Sequence, residues 1–173
     1  MPYVPDYPFG YKYWCHPEFD DVKMICRTQF GDAININENN EFEVIENWAK
    51  FHGEKKPISN ALEELVPLVE DMSKSIWLIH APPANVMLDI CATGDRVGSP
   101  AVLEFICKHQ PMLTVHGHIH ESPEYNYGKW FHVEDKTVCV QNGQIGFDVH
   151  YSTFDIEDGE IKSMWNYPYT NEI

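Results

Sequence analysis

The stretch 97-VGSPAVLEFICKHQPMLTVHGHIHESP-123 decides how the chain is read. Ser99 before Pro100 is a helix start, because serine caps well and proline in the first turn gives up no needed hydrogen bond. Val102, Phe105 and Ile106 then recur at helical spacing as one apolar stripe. "MLTVH", 112–116, is short and apolar, the pattern of a strand. Upstream, "SIWLIHAPP" at 75–83 holds a second such run, Ile76 to Ile79, which Pro82 and Pro83 stop, and it reads as a buried strand. Strand, helix, strand in this order predicts a βαβ unit with its two strands parallel.

Working outward, residues 84–98 read as a loop with Gly94 and Gly98. "TVCVQNG" is a further strand, and "GFDVHYSTFDI" and "EIKSMW", joined by "EDG", form a hairpin. On the other side, "SNALEELVPLVEDM" carries Leu62, Leu65, Val66 and Val69 at helical spacing, with Ser59 as N-cap and Pro67 as a break or a new start. "EFEVIENWAKFH" places Val44, Trp48 and Phe51 at i, i+4, i+7, a second amphipathic helix. Residues 1–31 are rich in proline and aromatics and read as an irregular packed arm. The expected fold is α/β, a mixed β-sheet with flanking helices. One domain spans 1–173, with an arm and helices in 1–74 and the βαβ unit plus C-terminal strands in 75–173.

Composition bounds the function. The 173 residues are 43% hydrophobic and 13% aromatic, enough for a core and too apolar for disorder. Twelve basic against 27 acidic residues leave a charge of −15, which repels a phosphate backbone and argues against a long nucleic-acid partner. No apolar run is long enough to span a bilayer, and "MPYVPDYPFGYKYW" lacks the basic and apolar segments of a signal peptide. Five cysteines, odd in number and without a CxxC pair, point to a reducing cytoplasm.

His116, His118 and His120 crowd into five positions. His80 ends the first strand of the βαβ unit and His116 the second. Neighbouring strands lie about 5 Å apart, and their C-terminal ends form the edge where open α/β sheets bind ligands. His118 and His120 share parity, so an extended turn would face both rings one way. Gly117 lets the backbone approach closely. Neutral imidazoles bind zinc, iron, manganese and related ions, and three with an open position suit a catalytic metal. His80, His118 and His120 are therefore the candidate metal ligands. His52, His109, His132 and His150 read as surface or hydrogen-bonded residues. A histidine-triad nucleotide hydrolase would need apolar residues where Glu121 and Ser122 stand. A cupin site could be imitated by His118, His120 and Glu124, but the βαβ unit does not suit that all-β fold.

"GHIH", preceded by one strand and followed by another that ends in "QNG", resembles the C-terminal motif of calcineurin-like metallophosphoesterases. "WLIHAPP" resembles their preceding metal-binding histidine segment. The similarity covers residues 75–145 well and the rest loosely, and "YVPDYPFGYKYW" looks like a mid-chain segment of one branch. The resemblance implies an α/β sandwich with a dinuclear centre, His80 and His118 on one ion and His120 on the other. It implies hydrolysis of a small phosphate ester, a phosphomonoester or phosphodiester, by a metal-activated hydroxide. The cofactor would be a divalent transition metal (Mn, Fe, Zn or Ni), one or two ions. Asn142 would lie near the site, with no role assigned.

The family's N-terminal motifs are missing. "GDAIN" at 31–35 has Asp32 without a second aspartate in place, and "CHPEFDD" at 15–21 lacks the DxH order. The chain thus resembles the C-terminal half of such an enzyme. Three neutral imidazoles without carboxylates hold two ions weakly, which favours one. A half-sandwich also leaves an apolar sheet face to be covered by a separate N-terminal-half polypeptide, a second copy, or residues 1–74. The rival reading is a non-catalytic domain that binds a metal or a partner.

Overall fold

The computed structural model describes residues 12–14, 25–27, 33–36, 39, 41–44, 46 and 57–169. The chain divides into two compact units, Met1–Ala61 and Leu62–Ile173.

In the first unit, β1 (Lys12–Trp14), β2 (Ile25–Arg27), β3 (Ala33–Ile36) and β4 (Phe42–Val44) pair in chain order as an antiparallel sheet. Two expectations change here. The arm 1–31 is not wholly irregular, since it contains β1 and β2. The helix expected from Glu41 onward begins instead as β4, with Phe42 opposite Ile36 and Val44 opposite Ile34. "FEV" fits a two-residue period as well as a helical one, and the neighbouring strand decides. Trp48 and Phe51 lie outside the described residues. Helix α1 (Ile58–Leu65) starts right after Pro57, whose carbonyl accepts the first helical bonds, so Ser59 sits inside the first turn and is not the cap. As expected, Pro67 ends α1: a 3-10 turn, Val66–Leu68, follows at once.

The second unit is a mixed four-stranded sheet in the order β5-β6-β8-β7, where β5 is Ile76–Leu78, β6 Leu113–His116, β7 Phe131–Glu134 and β8 Thr137–Gln141. β5, β6 and β8 run parallel, and β7 is antiparallel to β8. Helix α2 (Pro100–His109) makes the expected crossover between β5 and β6. The Ser99 hydroxyl accepts from Val102 N at 3.2 Å, and Val102, Phe105 and Ile106 are buried as their spacing required. Two elements escaped the sequence reading: β7, only four residues long, and the single-turn α3 (Ser122–Tyr125). β9 (Tyr151–Glu157) and β10 (Glu160–Tyr167) form the expected hairpin around Asp158-Gly159, a favoured turn pair, but as a separate two-stranded sheet.

Register assigns the faces of the mixed sheet, because paired residues share a side. One face carries Trp77, Thr114, His116 and Cys139, and there Trp77 meets Phe105 of α2 with rings 4.6 Å apart. The opposite face carries Leu113, Val115, Val138 and Val140. Leu113 and Val140 form a core with Trp130 and Met164, against which Phe154 and Ile161 of the hairpin pack. Cover is incomplete at the edge strand. Ile76 is 51% and Leu78 82% exposed while Trp77 is buried, so β5 alternates and is not the fully buried strand expected. An edge strand with one neighbour buries what the helix covers and no more.

Candidate metal centre

The parallel strands β5, β6 and β8 end on the same edge. His80 does not end β5 as expected but follows it by two residues, because β5 stops at Leu78; His116 ends β6, and Gln141, opposite His116, ends β8. Pairing continues one step past the strands: Ile79 N donates to Val115 O and Gly117 N to His80 O, both at 3.0 Å. This brings His80 beside the histidine turn. A Cβ on Gly117 would stand 3.3 Å from His80 Nδ1, so the glycine makes room for that ring.

The turn itself is not extended. Ile119 N donates to Gly117 O at 2.8 Å across His118, whose φ is +70°. An i→i+2 bond over a residue of positive φ marks the rarer, strained γ-turn. Such backbone persists only when the surroundings over-determine it, and it concentrates at functional sites. The surroundings are visible. The Gln141 side-chain amide donates to Gly117 O, Gln144 N donates to His120 O at 2.7 Å, and Gly143 packs against the same His120 carbonyl. Glu121 reaches out to accept from Ala92 N at 3.0 Å, tying the turn to the 84–98 loop. That loop is stitched by Asp89, fully buried, which accepts from Asn85 N at 2.9 Å and faces Arg96 Nη1 at 3.4 Å.

The structure therefore brings His80 and His118 together, with ring centroids 5.3 Å apart, edge to face. His118 is half-buried, and His80 and His120 are exposed. Parity across an extended turn is not what relates His118 to His120; the γ-turn intervenes. His120 still lies close enough for its charge to act on both. Burial, then the charge of His120, holds His80 below the usual imidazole range. Burial, then His80 and His120, holds His118 down, with Glu121 opposing. Both rings are thus neutral near pH 7, the form that binds metals without first losing a proton. Among the described residues, no three His, Cys, Asp or Glu side chains are arranged to hold an ion. Two imidazoles, His80 and His118, are the donors that the turn brings face to edge, and His120 stands beside them without completing a three-donor set. Among the described residues no carboxylate joins the rings to balance the charge of a second ion.

Asn142 is engaged elsewhere: it accepts from Ser152 Oγ and, at 3.3 Å, from Asn166 Nδ2, linking β8 to the hairpin. A groove of roughly 580 Å³ beside β7 is lined by Met87, Asn126, Tyr127, Lys129, Phe131, His132 and Val133, and none of the three histidines borders it. Among the described residues no helix is long and apolar enough to cross a membrane. Gln141, Gln144, Glu121 and Asp89 were not singled out from sequence. The strand pattern of "TVCVQNG" says nothing of where Gln141 reaches, and nothing local reveals that it and Gln144 hold the histidine turn. No family model, curated protein or solved structure matches the chain.

Proposed function

We propose that the chain carries a divalent transition-metal site of the calcineurin-like metallophosphoesterase type, with His80, His118 and His120 as ligands. The observation that carries the reading is the His80–His118 ring pair at the C-terminal edge of two adjacent parallel strands, next to a strained turn. When bound, the ion supplies Lewis acidity for hydrolysis of a small phosphate ester. The chain's own contribution is to hold neutral imidazoles at a fixed spacing and to keep the His118 backbone in its strained form. Its charge of −15 sets long nucleic acid apart from small phosphate esters as a substrate. The remaining carboxylate ligands of the family would come from a separate N-terminal-half polypeptide or a second copy.

A second reading, a non-catalytic metal- or partner-binding domain, has its own support: no third donor closes on the pair among the described residues. Elemental mass spectrometry of the purified chain, beside His80→Ala and His118→Ala, tests the site. Near-stoichiometric metal in the wild type and loss in both variants is the expected result. Equal metal in all three sinks the assignment. Hydrolysis of a chromogenic phosphate ester with added Mn²⁺ then separates the two readings, because only the enzyme turns over.

A further inference from the structure

His116 stands apart from the three candidate ligands. It is buried at the end of β6, on the face covered by α2, and each ring nitrogen has a partner. Nδ1 lies 3.0 Å from Ile79 O and 2.9 Å from Ala81 O. Carbonyls only accept, so Nδ1 carries the proton and donates to both. Nε2 lies 2.8 Å from Thr114 Oγ1 and accepts from that hydroxyl. The two carbonyls flank His80 on either side in the chain.

The position of this contact matters because the strand ladder is running out. Past β6 the backbone N–H groups go elsewhere, Gly117 N to His80 O and Ile119 N to Gly117 O. The imidazole of His116 donates instead to the carbonyls of Ile79 and Ala81. Holding the carbonyls of Ile79 and Ala81 orients the peptide planes on both sides of His80, and with them its Cα–Cβ direction. We propose that His116 is a positioning residue that seats His80 against the Gly117–His118 turn and so sets the spacing of the proposed metal pair. The consequence for metal rests on the site reading above, whereas the seating of His80 stands on the hydrogen bonds alone.

The experiment uses the full chain with His116→Val and His116→Asn. Asparagine keeps a donor near the place of Nδ1; valine keeps none. Two readouts are taken on protein that is folded by circular dichroism. The first is amide exchange at Gly117, which donates to His80 O, referred to Leu113, which donates to Ser75 O at the far end of β5. The second is cobalt(II) affinity. In His116→Val, Gly117 exchange rises about tenfold over Leu113 and cobalt affinity falls about tenfold or more, while His116→Asn recovers most of both. Gly117 protected as in wild type in the valine variant, or asparagine no better than valine, overturns the proposal. If the valine variant does not fold, His116→Gln, which moves the donor toward the Nε2 position, is read in its place with the same expectation. A wild type that binds no cobalt removes the metal reading, and the Gly117 exchange still decides the seating.

Discussion

Gly143 tests how tightly the end of β8 is locked to the histidine turn. Its φ is +66°, and a Cβ there would stand 2.7 Å from His120 O and 2.8 Å from Pro123 Cδ. Gly143→Ala therefore meets two penalties. An L residue in the left-handed region costs about 1–2 kcal/mol, and forcing a methyl into packed neighbours about 1–3 kcal/mol. Two other glycines isolate the terms. Gly94 has φ +84° with nothing within 4 Å of its Cβ position, so Gly94→Ala carries the backbone term alone. Gly98 lies outside the left-handed region, but its Cβ would stand 2.7 Å from Pro83 O and 2.8 Å from Asp89 Cβ, so Gly98→Ala carries the packing term alone. Urea unfolding should rank Gly94→Ala mildest, and Gly143→Ala should cost about the sum of the other two, ~2–5 kcal/mol, if the terms add. A Gly143→Ala variant no less stable than Gly94→Ala would refute the close seating of residue 143 on His120.

Further outcomes follow from the same contacts. Burial pushes His116 down to about 4 from 6.5, so the unfolded chain binds the extra proton between those values. Its contribution is therefore fully present above about pH 6.5 and is lost as pH falls toward 4, by ~3 kcal/mol, steepening wild-type urea stability against pH relative to His116→Asn. Parallel pH profiles for the two proteins would count against a neutral buried His116. Ser99→Ala removes the bond to Val102 N and should cost about 1 kcal/mol in the same assay. Leu113→Ala, in the core with Trp130, Val140 and Met164, should cost about 2–5 kcal/mol, whereas Leu78→Ser on the exposed side of β5 should stay within about 0.5 kcal/mol. Equal losses at the two leucines would mean that the open face of β5 is covered in solution.

Much of the second unit was legible because its signals are local. Ser99-Pro100, the Val102–Phe105–Ile106 stripe and the Asp158-Gly159 turn each act within a few residues and appear where expected, whereas β5 ends at Leu78, short of the Pro82-Pro83 stop. Short segments whose pattern suits either period were not legible. "FEV" became β4 through pairing with β3, and "FHVE" became β7 through pairing with β8.

The same boundary runs through the candidate site. The residue types and the order of elements, which place His80 just past one strand and His116 at the end of the next parallel one, are written in the sequence by itself. Tertiary structure alone decided that His80 lies beside Gly117, that His118 takes a strained γ-turn where an extended turn was expected, and that His116 holds the backbone around His80. It also decided that Gln141 pins the turn from β8. The reason is physical. Helical and strand periodicity is set by neighbours along the chain. Contacts between residues 35 or more apart, such as His116 with Ala81, depend on the register in which β5, β6 and β8 pair. That register is chosen by how Trp77, Phe105, Leu113 and Val140 fill the two faces of the sheet together.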